Sequence, residues 1–282
     1  MMEIEGVSLL PNHQEFIHRF VEACEQDDRV VAAFLGGSNA KGYADSFSDV
    51  DVCVITANAA HEGFFNERQS FLQSLGNLVF LEDFGIPNIA FFIFADGTEG
   101  ELYFGSESHM DHIHGGAFKM LLDKKGILTG AAFPEKEADA SRQLEELRRN
   151  MYGFWHEISH FITAMGRRQL WWARGQLEAL RSICVNLARL HHNFLDGEIG
   201  DEPYFKIEKA MNVEALAPLA ATFCPMEKNA MLKAVQVIIQ FYTVTAQQLA
   251  QAHAVPYPTD LAAVMLKRLE RLTTDLRTVP KV

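Results

Sequence analysis

The sequence predicts an α+β fold: an N-terminal domain of mixed sheet and helices over residues 1–134, then a helical bundle over residues 135–282. Two observations predict it. Short β-type apolar runs alternate with helical segments through about the first 130 residues, punctuated by Gly, Pro, Asn and Asp. From about Glu135 onward only helical periodicity remains. No internal repeat, low-complexity segment or long linker interrupts the chain. Its 282 residues, 48% hydrophobic, are enough to bury a sizeable core.

The elements follow in order. "NHQEFIHRFVEACEQDD" reads as a helix, with Phe16, Ile17, Phe20, Val21 and Cys24 on one apolar face. "RVVAAFL" is a buried strand and "DVDVCVI" a second. "EGFFNERQSFLQSL" returns to helix. "NLVFLEDF", "NIAFFIFAD" and "GELYF" are three further β-type runs, and "LLDKKGIL" closes the first half. In the second half, "EKEADASRQLEELRRNMYGFWHEISHFITAM" and "RRQLWWARGQLEALRSICVNLARLHHNFL" are long helices, with Gly166 as the breaker between them. Two more helices are expected at about Lys228–Ala252 and Pro258–Thr278. Trp171 and Trp172 stand about 100° apart on a helix and cannot face one way. One is expected in the core and the other along the interdomain cleft.

Charge and cysteine usage bound the partners. A net charge of −12 and a pI near 5.4 repel nucleic acid and anionic membranes and attract a cationic small molecule. Cys24, Cys53, Cys184 and Cys224 are scattered, with no CxxC pair. No apolar run is long enough to span a bilayer, and the start "MMEIEGVSLLPNHQEF" carries acids where a signal peptide needs a basic region. These features lead us to expect a cytoplasmic protein with free thiols. They leave a homodimer open.

The chemistry concentrates in "LGGSNAKGYADSFSDVDV", Leu35 to Val52. Asp49 and Asp51 lie at i and i+2 of an expected strand, so both carboxylates share a face, while Val50 and Val52 point into the core. Carboxylates roughly 6–7 Å apart along a strand can share hard cations such as Mg²⁺. Gly36 and Gly37 let a backbone approach a phosphate closely. The turn opens into a helix, whose free N–H groups suit an anion. Ser38 adds a hydroxyl and Lys41 a positive charge. A lone GGS is a turn and a lone DxD a solvated strand end; their conjunction after a buried strand carries the information. The stretch is neither a Walker P-loop, which needs GK[ST] where this chain has Gly42-Tyr43, nor a GxGxxG.

This arrangement resembles the signature of the DNA polymerase β-like nucleotidyltransferase superfamily: an apolar strand, Gly-Gly-Ser, about ten residues, then Asp-x-Asp. The resemblance implies a nucleoside triphosphate donor, two Mg²⁺ ions held by Asp49, Asp51 and a third carboxylate, and triphosphate contacts from Gly36, Gly37, Ser38 and Lys41. Glu101 in "GELYFG" matches the third carboxylate, where the family more often has Asp; Asp96 and Asp83 are the substitutes. "LLDKKGIL" and "GRRQLWWARGQLEALRSICVNLARL" are similar to the closing strand and first bundle helices of antibiotic nucleotidyltransferases. That resemblance implies transfer of a nucleoside monophosphate to a hydroxyl of a small acceptor, in the manner of lincosamide and aminoglycoside enzymes. The acceptor would lie between the domains, with a carboxylate as general base. Glu145, Glu157 and Glu178 lie on bundle helices. Glu178 is favoured, because burial among apolar residues would raise its pKa.

Other readings remain at this point. A non-catalytic nucleotide- or partner-binding module could retain the same fold, and a protein could be the acceptor. "HEISH" matches the zinc-protease pattern through His156, Glu157 and His160, with Glu178 spaced as a third ligand. Its flanks "MYGFW" and "FITAM" suit ordinary bundle residues, so no stoichiometric zinc is expected. His109, Asp111, His112 and His114 in "SHMDHIHGG" read as an exposed loop bordering the active site.

Overall fold

A computed structural model describes residues 11–110, 114–134, 139–195 and 202–278. The chain divides into two compact units, Met1–Lys136 and Glu137–Val282.

In the first unit, α1 (Pro11–Gln26) buries the face expected of it, Phe16, Ile17, Phe20, Val21 and Cys24, together with His13. β1 (Val30–Leu35) follows and is buried throughout. Next come the short α2 (Gly37–Lys41), β2 (Val50–Thr56), α3 (His61–Asn66) and α4 (Arg68–Leu75). The single helix expected over 62–75 is therefore two, parted at Glu67. β3 (Leu78–Glu82), β4 (Ile89–Phe94), β5 (Glu99–Ser106) and β6 (Lys119–Asp123) complete the unit. Among the described residues the strands form one sheet in the order β3-β4-β5-β2-β1-β6. It is mixed: β2 and β5 run parallel, and the other pairs are antiparallel.

Strand alternation divides this sheet into two unlike faces. Val50, Val52, Val54, Leu102 and Phe104 point toward α1, α3 and α4 and pack with Phe16, Phe20, Phe64 and Leu72. On the other face, Phe34, Cys53 and Ile55 pack with Leu128 and Phe133, with Tyr103 and Phe118 against them. Asp51 and Glu101 belong to this second face. It can carry carboxylates because the β5-β4-β3 portion is only partly buried: Phe91, Ile93 and Glu101 are half-buried and Glu82 is exposed.

The second unit is helical. α5 (Ala140–Gly166) and α6 (Leu170–His192) are followed by the short α7 (Ile207–Ala210) and α8 (Ala217–Ala220), then α9 (Lys228–Ala252) and α10 (Thr259–Thr278). Asp139 caps α5 by accepting from the Ser141 amide at 2.8 Å. Gly166 ends α5, and the chain reverses through Arg168 at φ 58°. Phe154 stacks on Tyr242 with centroids 3.6 Å apart, and the Tyr242 hydroxyl donates to the Met151 carbonyl at 2.7 Å. Neither Trp171 (83% exposed) nor Trp172 (37%) is in the core, contrary to the expectation for one of them. The buried face of α6 runs through Ala173, Leu177 and Leu180, and Trp155 of α5 is the core tryptophan.

Candidate active site

The site is built at the start of β2. The Gly36 amide donates to the Asp51 carbonyl at 2.9 Å, which ties the turn after β1 to the neighbouring strand. The Asn39 side chain donates to the Asp49 carbonyl at 2.9 Å and fixes the residue that enters β2. Asp49 itself lies one residue before the strand, and Asp51 pairs with Glu101 across the parallel β2–β5 ladder. Register partners in a ladder share a face. Asp49, Asp51 and Glu101 accordingly offer carboxylate oxygens all within 4.8 Å of one another. Asp83 and Asp96, the substitutes for the third position, are engaged elsewhere. Asp83 pairs with Arg68 at 3.1 Å, and Asp96 accepts from the Thr98 amide at 2.9 Å.

Gly37 is fitted to this cluster. Its φ is +53°, and a Cβ added there would overlap the Asp51 carboxylate. Only a residue without a side chain lets the carboxylate sit against the turn. Ser38 follows, with its Oγ buried and without a hydrogen-bond partner. A buried hydroxyl in that state costs free energy unless something binds it. Lys41 closes α2 with an exposed side chain. Because the Gly36 amide is spent on Asp51, the amides that open α2 are the backbone donors left for an anion.

Three residues that sequence reasoning did not place join the site. The Tyr103 hydroxyl donates a hydrogen bond to Glu101 Oε2. Burial, then the Glu101 carboxylate, push the Tyr103 pKa up, so the phenol stays protonated and holds Glu101 in place. Asn39 anchors Asp49 as described. His13 lies buried on α1 with its pKa lowered, chiefly by burial; the Asp49 charge and the Asn39 side chain oppose the shift. The Glu101–Tyr103 spacing of two was the available signal, since it places both side chains on one strand face.

The histidine-rich loop divides. His114 packs against Gly36: a Cβ there would stand 3.0 Å from His114 Cε1. Its Nε2 bonds the Ala117 carbonyl at 2.9 Å, and its ring lies against Phe34 and Phe133. His109 instead follows the far end of β5, where it lines a cavity of about 620 Å³ with His61, Asn88 and Ser106. Asp111 and His112 lie outside the described residues.

Glu178 differs from expectation. Burial pushes its pKa up. Hydrogen bonds from Arg181 at 2.5 Å and Tyr204 at 2.7 Å, with the Arg181 and Arg174 charges, outweigh that and hold it below the usual carboxylate value. The predicted upward shift is thus reversed, because the apolar neighbours in sequence are not the neighbours of the carboxylate in space. Glu178→Gln is expected to lower stability by about 0.5–1 kcal/mol, since buried Arg181 loses its charged acceptor but Glu178 is 41% exposed and the pair is screened by solvent. The sign for pH follows from the lowered folded pKa. The contribution is complete above the unfolded value of 4.5 and disappears as pH falls through the folded one. Melting curves of the two proteins should differ at neutral pH, and the difference should shrink as pH falls below 4.5 toward the lowered folded value.

His156, Glu157 and His160 also come within 4.8 Å through their ligand atoms. Glu157 accepts from Gln176, with that amide oriented so that its oxygen takes the Trp172 Nε1–H at 3.1 Å. Glu178 does not join them, so the third ligand of the protease pattern is not supplied from the position the spacing suggested.

Fit to a divalent cation can be judged from the donor set. Asp49, Asp51 and Glu101 present only hard oxygen donors, close enough to converge on one centre, which suits Mg²⁺.

A family profile described as streptomycin adenylyltransferase matches residues 10–272. No curated protein sequence matches the chain. The crystal structure of an aminoglycoside 6-adenyltransferase from Bacillus subtilis is similar over 94% of this chain and 99% of that one, at 15% identity and a TM-score of 0.45. The chain belongs to the streptomycin adenylyltransferase family and is a nucleotidyltransferase.

Proposed function

We propose that the protein transfers a nucleoside monophosphate from a nucleoside triphosphate to a hydroxyl of an aminoglycoside antibiotic, releasing pyrophosphate. One observation carries this reading: three carboxylates converge within 4.8 Å against a Gly-Gly-Ser turn whose second glycine has no room for a side chain. Family membership supports a nucleotide donor and an aminoglycoside acceptor. The net charge of −12 supports a cationic acceptor. Four unpaired cysteines, three of them buried, support a reducing, cytoplasmic setting.

The residues divide the work. The Ser38 hydroxyl and the amides opening α2 bind the triphosphate, with Lys41 one helical turn away. Asp49, Asp51 and Glu101 would hold Mg²⁺, which when bound neutralises phosphate oxygens and stabilises charge in an in-line displacement. The acceptor oxygen forms a bond to the α-phosphorus as the bond to pyrophosphate breaks. Glu101, oriented by the Tyr103 hydroxyl, is our candidate to take the acceptor proton. Glu178 is instead engaged by Arg181 and Tyr204.

Labelled nucleoside triphosphates offered with streptomycin, kanamycin and lincomycin test the proposal. Label should pass to an aminoglycoside with stoichiometric pyrophosphate. Transfer to lincomycin alone, or to no acceptor, would overturn it. Ser38→Ala should raise the KM for nucleotide about tenfold with little effect on kcat, because it removes a contact made in the ground state as well as the transition state. Steady-state kinetics with varied nucleotide checks this.

A further inference from the structure

The carboxylate cluster is not the end of the functional face. β5 alternates, so Glu99, Glu101 and Tyr103 point to the same side. Across the antiparallel ladder Glu101 pairs with Phe91 of β4, and Phe91 pairs in turn with Glu82 of β3. The row Asp51–Glu101–Phe91–Glu82 therefore crosses four strands on one face. Phe84, in the β3–β4 turn, folds over it, 5.4 Å from the Phe91 ring and 6.3 Å from Phe80. Phe84 is 67% exposed and Phe80 39%. Phe84 also holds a φ of +50°, which a bulky residue rarely adopts. Its amide donates to Glu82 Oε1 at 3.4 Å, and the Asp83 amide to the same oxygen at 3.1 Å. Phe91 thus stands beside Glu101, and Phe84 and Phe80 extend the aromatic surface outward from it, with the carboxylates of Glu82 and Glu99 on the same face.

We propose that Phe80, Phe84 and Phe91 form an acceptor shelf that binds a polycationic amino sugar, with Glu82 and Glu99 taking its guanidinium or ammonium groups. This rests on the functional reading above and names the surface that selects the acceptor. Aromatic faces attract cations and pack against the apolar side of a saturated ring. Flanking carboxylates supply charge-assisted hydrogen bonds to ammonium groups. Continuity with Glu101 gives the shelf its direction: a ring lying on Phe91 brings its edge toward the carboxylate cluster one strand away. The acidic flank does not suit the triphosphate, whose place is the turn at Ser38.

The test uses the full chain with streptomycin as probe, in Phe84→Ala, Phe91→Ala and Phe84→Leu variants. Steady-state pyrophosphate release at saturating MgATP should show the KM for streptomycin raised about tenfold in the alanine variants, with a much smaller change in kcat. Phe84→Leu, which keeps bulk and loses the ring, should fall between. MgATP affinity by calorimetry should be unchanged in all three, which also reports that they are folded. Unchanged streptomycin KM in both alanine variants would overturn the shelf. So would a variant that changes only the sedimentation mass, since the patch would then join two copies of the chain. If the wild-type protein turns over no aminoglycoside, the functional reading fails, and streptomycin calorimetry still decides the shelf. Binding weakened in the variants supports it, and no binding to the wild type at millimolar streptomycin sinks it.

Discussion

Asp51→Asn is expected to lower turnover by about 10²–10³-fold while the fold and nucleotide binding persist. The two side chains have the same shape, so the fit against Gly37 is kept and the register with Glu101 is untouched. What changes is charge. One of three carboxylates that share a space of 4.8 Å becomes neutral, and the affinity of the cluster for a divalent cation falls with it. A nucleotide arrives with its own Mg²⁺, so its ground-state affinity should change modestly. The preorganised electrostatic element that acts on the transition state is what is lost. Calorimetric titration of MgATP beside a pyrophosphate-release assay separates the two effects. Full activity in this variant would refute the assignment of the carboxylates.

The second large effect is expected from Gly37→Ala. The added methyl meets two obstacles. The backbone at φ +53° is disfavoured for any L-residue by about 1 kcal/mol. The Cβ also overlaps the Asp51 carboxylate, which must leave its place beside Asp49 and Glu101. We expect kcat/KM to fall by about 10²-fold or more, comparable to losing the carboxylate itself. The melting temperature should fall by only about 2–4 °C. Gly36→Ala is the control. Its Cβ would stand 3.0 Å from the His114 ring, a tight contact, rather than overlap a carboxylate. It should cost less activity than Gly37→Ala. Equal activity of Gly37→Ala and wild type would show that the glycine–carboxylate contact is not needed for function.

Much of this was legible from residue order. Period-2 and period-3.6 patterns place the first five strands and the four long bundle helices, most clearly where a face is buried, as in Phe16–Cys24 or Val30–Leu35, whereas the observed β6 (Lys119–Asp123) overlaps only the start of the "LLDKKGIL" run, whose strand reading comes from the resemblance. The Gly-Gly-Ser turn and Asp-Val-Asp are local features, and the resemblance they carry agrees with the family of the chain. Glu101 lies fifty residues from Asp51, and only its "GELYFG" context linked the two. The parallel β2–β5 pairing makes them neighbours.

The errors share a cause: they concern what a side chain meets in space. Glu178 stands among apolar residues in sequence, yet Arg181 lies one turn ahead and Tyr204 comes from a later segment, so its pKa moves the other way. Trp171 and Trp172 flank the buried stripe of α6 rather than entering it. Of the histidine-rich loop, His114 borders the site as expected by packing on Gly36, whereas His109, five residues before it, lines a cavity at the far end of β5. By itself the sequence determined the succession of elements, the acidic character and the local catalytic signature, because these depend on periodicity and short spacing. Tertiary structure alone decided that Glu101 stands opposite Asp51 in register, that the Tyr103 hydroxyl reaches Glu101, and that Phe91 continues the same face. The first and last of these are made by strand pairing between segments distant in the chain, which residue order by itself does not fix.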